Sequence, residues 1–341
     1  MTNMTGDKRV NFYSDEIFSQ ALEAAYFPDR KIEPRLFELN GKLWKIPTIN
    51  STEPIIKFPF QSTFIDFYEP YEQESTHLSH QVQKLAYIPK AFHGLVSSDE
   101  WFEQKLDQNY EPAPTIIWNN FASWDDFTKY VRQKNGSKFF SDTRRRHRKL
   151  EQELGPLTFV LDDRRTDVLA TCMYWKSNQY LRSGLIDAFA YKEHVKLFQE
   201  LANRSLLLVS SLYANEKLIA AHIGVLSKER LYSWIPAYDN SYAASAPGRL
   251  LLLFILEESF KHNHEEFDFL IGNESYKWSY ATHTRLIAEM GVPPIPVQMN
   301  RSMKAVIKPI VSSSLKPFPG LKKSWDNVRH QLRTKLYELK K

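Results

Sequence analysis

The chain has 341 residues, 43% hydrophobic and 14% aromatic, enough apolar material for two cores, which excludes a wholly disordered chain. Its 11 glycines argue against several glycine-rich phosphate loops, and its single cysteine, Cys172, excludes an intrachain disulfide and a cysteine-based zinc site. The net charge of +5 belongs to the end of the chain: residues 301–341 hold eleven Lys or Arg and two acidic residues, +9, and the other 300 residues sum to −4, so the basic balance is no argument for nucleic-acid binding by the body.

Residues 1–10 are polar, and the longest apolar runs, 250–256 and 218–221, fall short of the ~20 residues needed to span a bilayer; a soluble, cytoplasmic protein without a signal peptide is expected. Helical spacing of Ile17, Phe18, Ala21 and Ala25 predicts a helix over 14–25, ended by Pro28. Two apolar runs around Asn40-Gly41 predict a hairpin over 35–49, because both central residues of a I′ turn need positive φ. Further strands are expected over 55–60 and 64–68, and a loop over 70–80. A strand ends at Trp118, after which Ser123 caps a helix with the stripe Trp124, Phe127, Tyr130 and Val131. The next helix covers 139–154, with Ser141 or Asp142 as cap and Gly155-Pro156 as terminator. A domain boundary is expected there.

The pattern then restarts: a strand over 157–161, helices over 166–181 and 191–203, and strands over 206–213, 218–226 and 230–238 with connectors short enough for an antiparallel meander. A helix over 248–262, a strand over 266–271, a short helix near Tyr276 and a strand over 286–290 follow. Cys172 falls in an apolar helical pattern, which favours a buried structural thiol over a nucleophile.

This order, with Pro247-Gly248-Arg249 opening an apolar helix, then Phe267-Asp268-Phe269 and the G-x-E-x-Y-K run of Gly272, Glu274, Tyr276 and Lys277, resembles the GNAT acyltransferases. It is similar in particular to their CelD-like branch in bacterial exopolysaccharide and cellulose production, whose basic helix is matched by Arg144-Arg145-Arg146-His147-Arg148-Lys149. The resemblance covers 141–290 well and the earlier block in outline. It implies an α/β (α+β) GNAT fold, a mixed, mostly antiparallel sheet flanked by helices. Fem-type aminoacyltransferases, relatives of that branch, carry two such domains in tandem, so 1–155 is expected as a degenerate first copy, 156–300 as the acyltransferase domain and 301–341 as a basic extension.

Direct acyl transfer from a thioester needs amides at a helix start for the donor's diphosphate, a donor to the carbonyl oxygen, and a proton acceptor. With acetyl-CoA or another acyl-CoA as donor, the resemblance assigns the first role to Ser245, Ala246, Gly248, Arg249 and Leu250; read locally, the same residues are an ordinary helix start capped by Ser245. Only Gly248 is a glycine in this loop, a departure from the wider family. Ser233 and Trp234 line the opening where the strand over 230–238 is splayed from its neighbour; as an ordinary strand, Leu231, Ser233 and Ile235 would face one side and Tyr232, Trp234 and Pro236 the other. Glu274 is the first candidate for the proton, with Tyr276 to return one to the thiolate and Lys277 as its charged neighbour. His222 and Asp239 are further candidates for binding the acceptor, and Arg145, in the basic run, for an anionic group on donor, lipid or tRNA. No metal is expected, since His262 and His264 lack a ligand spacing, and no DNA-binding module is present. Leu321, Trp325, Val328, Leu332, Leu336 and Leu339 form an amphipathic helical pattern with a basic polar face, which packs on the body, pairs with another subunit or lies on an anionic membrane. The acceptor is then a small molecule or a lipid-linked sugar of the envelope. An aminoacyl-tRNA-dependent transferase and a non-catalytic scaffold are the alternatives.

Overall fold

The computed structural model describes residues 11–57, 64–71, 82–103, 109–295 and 297–298. The amphipathic pattern over 321–339 lies outside the described residues, as do 58–60 of one expected strand.

The first helix, α1 (Glu16–Tyr26), starts two residues later than expected and is capped by Asp15, which accepts the Ile17 N–H. The Asn40-Gly41 hairpin forms as expected: β1 (Ile32–Leu39) pairs antiparallel with β2 (Lys42–Ile49), and Asn40 and Gly41 have φ of 53° and 73°. The short β3 (Glu53–Pro54) and β4 (Gln83–Lys84) complete this small sheet. Among the described residues, two expected strands do not form. Residues Ile55–Lys57 form a 3-10 turn, and 64–68 is irregular chain that touches the main sheet through a bridge from Tyr68 to Ala91. Phe64, Ile65, Phe67 and Tyr68 are buried, so apolarity there serves packing without a ladder.

The main sheet has eight strands: β5 (Tyr87–Ser97), β6 (Glu111–Ile117), β7 (Leu157–Val160), β8 (Leu207–Ala214), β9 (Lys217–Ser227), β10 (Arg230–Tyr238), β11 (Glu266–Asp268) and β12 (His283–Gly291), in the order β5-β12-β6-β11-β10-β9-β8-β7. The meander β8-β9-β10 is antiparallel as expected, and only β10 and β11 are parallel neighbours in this sheet. The sheet crosses the expected boundary at Gly155-Pro156: β6, from the N-terminal block, lies between β11 and β12, and β5 covers the outer edge of β12. A central strand with prolines at 112 and 114 is unusual, since proline has no N–H. Here the carbonyls of Pro114 and Pro112 accept from Phe269 and Gly272, in the segment after β11 has ended. The missing N–H groups therefore face a place where the ladder has already opened.

Helices cover both faces. One face carries α5 (Thr166–Arg182) and α6 (Lys192–Asn203), with α1 packed on α6; the other carries α3 (Trp124–Asn135), α4 (Phe139–Leu154) and α7 (Pro247–Lys261). The short α2 (Ser98–Glu103) and α8 (Ser275–Trp278) meet through stacked Trp101 and Trp278, 5.9 Å apart. Ser123 caps α3 as expected, but neither Ser141 nor Asp142 caps α4: its first residue follows Lys138, whose carbonyl accepts from Ser141 Oγ. Cys172 is fully buried on α5, its Sγ 3.7 Å from the Ile235 carbonyl, and burial pushes its thiol up to about 12, which fits a structural role.

An ion cluster fastens the N-terminal block to the sheet. Arg285 of β12, with its side chain only 3% exposed, pairs with Glu69 (3.1 Å), Glu266 and Asp268 (3.0 Å), and Arg230 of β10 pairs with Glu69 (2.9 Å) and Glu266 (2.8 Å). Glu69 belongs to the irregular segment after residue 64, so this segment is held by charge as well as by its aromatic core.

Candidate active-site cleft

Strands β10 and β11 stay paired only as far as Tyr232 and Asp268, whereas β10 runs on to Tyr238. From residue 233 onward β10 therefore has no strand partner on that side among the described residues, and a cleft of about 310 Å³ opens there. A bulge at the same place, between Ser233 and Ile235, breaks the alternation of an ordinary strand. Leu231 belongs to the core under α7, but Ile235 joins Tyr232 and Ala237 in the core under α5. The phase thus flips within three residues, so that Ser233, Trp234, Ile235 and Pro236 all line the cleft. Trp234 is braced by Phe198 at 4.9 Å and by Phe64 at 6.0 Å.

The opposite wall is the run after β11. Leu270, with φ of 61°, turns the chain away, its N–H held by Asp268 Oδ1 at 2.8 Å. Lys277 is buried; its Nζ donates to the carbonyls of Leu270 (3.2 Å) and Ile271 (3.0 Å) and pairs with Glu274 at 3.0 Å. Gly272 suits this place because its φ is 148°, a conformation that L side chains rarely adopt, and the Glu274–Lys277 pair lies across its Cα. The G-x-E-x-Y-K run is thus one folded unit. Tyr276 lines the same wall, and desolvation, then Glu274, raise its hydroxyl pKa well above the tyrosine range, so it holds its proton.

Behind Ser233 stands His222 of β9. Its Nε2 is 2.8 Å from Ser233 Oγ, and its Nδ1 is buried without a hydrogen-bond partner among the described residues. Burial lowers the imidazole to about 4, so it is neutral at pH 7. Placing the ring proton on Nε2 puts it to use, whereas placing it on Nδ1 would bury an unshared N–H; Ser233 Oγ then accepts from His222 and its own O–H is free for the cleft. His264, with Nδ1 3.0 Å from Ser259 Oγ, is also lowered to about 4 by burial, then by His262.

These two histidines set a pH dependence. Each takes up a proton in the unfolded chain near 6.5 but in the folded chain only near 4, so stability is present above about 6.5 and is lost as pH falls toward 4, by roughly 3 kcal/mol for His222. Urea unfolding midpoints should fall across that window, and His222→Gln should remove part of the slope; an unchanged slope would contradict a neutral buried His222.

The remaining expected site residues lie outside the cleft lining. Helix α7 is entered through a 3-10 turn (Asn240–Ser245) and Ala246, which has φ of 51° and stands where Ser245 was expected as cap. Pro247 has no N–H, and the amides of Arg249 and Leu250 both turn back to the Ala246 carbonyl, leaving few first-turn donors for an anion. Gly248 faces Tyr238, whose ring would be 3.2 Å from a Cβ. Arg249 lies 4.2 Å over the Phe139 ring and donates to the Phe139 carbonyl; Leu250 is core. Asp239 accepts the Ser241 N–H and is 3.8 Å from Lys217. Arg145 pairs with Asp142 on exposed surface, and its neighbours Arg146, His147 and Lys149 likewise pair with carboxylates three or four residues away. Much of the basic run is thus a solvated helix face. Among the described residues, no helix is long and apolar enough to cross a membrane and no cluster of metal ligands occurs.

Sequence reasoning missed the cleft's other lining, Phe64 and Asp66 of the N-terminal block and Lys176, Gln179 and Tyr180 of α5. Lys176 left a trace: it lies four residues after buried Cys172 and three after buried Met173, a charged residue on an inward face. Asp66 left none.

Residues 137–278 match the family model of the acetyltransferase (GNAT) domain. The chain carries a GNAT-type domain. Its mixed sheet and flanking helices are the α+β arrangement expected of that fold. Among solved structures, FemX is similar at 10% identity over 83% of this chain and 91% of that one, with a TM-score of 0.44. L-PGS from Bacillus licheniformis is similar at 10% identity over 82% and 90%, with a TM-score of 0.41. A conserved protein of unknown function from Bacteroides thetaiotaomicron is similar at 12% identity over 84% and 93%, with a TM-score of 0.42. No curated protein matches in sequence. The GNAT domain match begins at the start of α4 and ends at Trp278, so it contains both walls of the cleft but neither Phe64 nor Asp66.

Proposed function

We propose that this chain transfers an acyl group directly from an acyl-CoA, acetyl-CoA first among them, to an amine or hydroxyl of an envelope or exopolysaccharide precursor. The observation that carries this reading is the opening of β10 from β11 at Tyr232 and Asp268, which leaves Ser233 and the Glu274–Lys277 wall lining one cleft. The thioester carbonyl sits at the bulge, where Ser233 O–H and the freed backbone stabilise the oxygen as it becomes negative. The acceptor attacks the carbonyl carbon, the C–S bond breaks, Glu274 takes the acceptor's proton, and Tyr276 O–H lies on the same wall to protonate the departing thiolate. Pro236 lines the cleft, and Tyr238 lies two residues, ~7 Å, further along β10; the donor's diphosphate runs along this stretch. The internal pairing of the basic run favours this donor over a charged tRNA.

Thermal unfolding with acetyl-CoA, longer acyl-CoAs and free CoA tests the reading. At a hundredfold excess over Kd a ligand specific to the folded state adds about 2.7 kcal/mol and raises Tm. No rise with any of the three sinks the proposal and favours a non-catalytic scaffold.

A further inference from the structure

Two opposite charges in the cleft have no ion-pair partner among the described residues. Lys176, on α5, lies 5.3 Å from the Tyr180 ring centroid and in the field of Glu274 and Lys277, but no carboxylate is within pairing distance. Asp66 takes one hydrogen bond, from the Tyr13 hydroxyl at 3.0 Å, and has no cation. Both are half-buried and both line the cleft. Other charges in and beside the cleft are paired: Lys277 with Glu274, and Arg285 and Arg230 with Glu69, Glu266 and Asp268. A charge withdrawn from water without a partner is costly, and two of opposite sign in one cavity are satisfied together by a ligand carrying the complementary pair.

We propose that the acceptor, or the terminal unit of it that enters the cleft, bears both a primary amine and an anionic group, the anion seated on Lys176 and the ammonium on Asp66. This rests on the acyl-transfer reading for the word acceptor, but the binding it asserts needs no donor. A volume of about 310 Å³ is at the small end of ligand sites, ~300–1,000 Å³, and admits one amino-acid-sized or amino-sugar-sized unit, not a polymer segment. Desolvation pulls the Lys176 ammonium below the usual lysine range, as expected of a cation whose counter-charge has yet to arrive. The anionic group is a carboxylate or a phosphate; a lysine ammonium, a point charge with three donors, suits both.

The test is a binding titration of the full chain without donor, read by calorimetry. The probes are glycine, β-alanine, γ-aminobutyrate and phosphoethanolamine, with ethanolamine and propionate lacking one of the two charges. At least one doubly charged probe should bind tighter than both singly charged ones by about tenfold or more, and whether it is an aminocarboxylate or phosphoethanolamine names the anion. Lys176→Met should erase its advantage over ethanolamine, Lys176→Arg should keep most of it, and Asp66→Asn should erase its advantage over propionate, all with unchanged circular dichroism. Ethanolamine binding as tightly as the best doubly charged probe, no probe binding, or Lys176→Met leaving the ranking intact overturns the inference. An acetyl-CoA thermal shift that persists in those cases leaves the acyl-transfer reading standing; its absence beside selective probe binding sinks that reading and not this one.

Discussion

Replacing Arg285 with leucine costs about 3–5 kcal/mol of unfolding free energy, measured by urea denaturation at pH 7. The guanidinium is the hub of the ion cluster, in contact with Glu69, Glu266 and Asp268, and its side chain is 3% exposed. Leucine fills part of the volume but leaves three sequestered carboxylates with Arg230 as their one strong counter-charge. Burial already pushes Asp268 up to about 6, with the Arg285 and then the Arg230 charge opposing the rise. Without Arg285 the rise is larger, so the folded variant binds more protons than the unfolded chain at mildly acidic pH. Its deficit therefore narrows as pH is lowered from 7 toward 5, the opposite sign to the histidine effect. A loss under 1 kcal/mol, or a deficit that widens on acidification, contradicts this account of the cluster.

Ser233→Ala lowers acyl transfer by about 10²–10³-fold in kcat, followed as thiol release from acetyl-CoA, while the acetyl-CoA thermal shift stays near that of the native chain. The substitution removes one hydroxyl from a bulge held by backbone pairing, so the cleft keeps its shape, and what is lost, on the proposed reading, is a donor to the carbonyl oxygen. His222→Gln, whose amide can replace the Nε2 donor, should keep more activity than His222→Leu, which leaves the Ser233 hydroxyl unoriented. Isotope-edited infrared spectra separate this from a structural effect: the carbonyl stretch of bound acetyl-CoA is shifted to lower frequency in the native chain and returns toward the free value in Ser233→Ala. Equal rates for native and Ser233→Ala, or an unmoved stretch, remove Ser233 from the mechanism.

The elements from 139 to 262 were legible because each carries its own local signal. The Asn40-Gly41 hairpin, the Ser123 cap and the meander follow from turn geometry and from periods of 2 and 3.6. Errors fell where tertiary burial imitates a strand, as at 64–68. The strand expected to end at Trp118 is β6, although its two prolines run against strand propensity. That strand is stable only because its N–H-less positions meet the segment after β11, a fact about two pieces of chain over 150 residues apart.

Sequence by itself put Glu274, Tyr276 and Lys277 in one short run and predicted the strand over 230–238, since neighbours along a chain stay neighbours in space. Only the tertiary structure decided which face Ser233 takes, because a one-residue bulge reverses the alternation without any mark in composition. It alone set His222 behind Ser233 and brought Asp66 and Lys176 to the lining of one cleft, across strands and blocks. And it alone showed the basic helix spending much of its charge on its own carboxylates, since the sequence counts charges and the fold decides what they face.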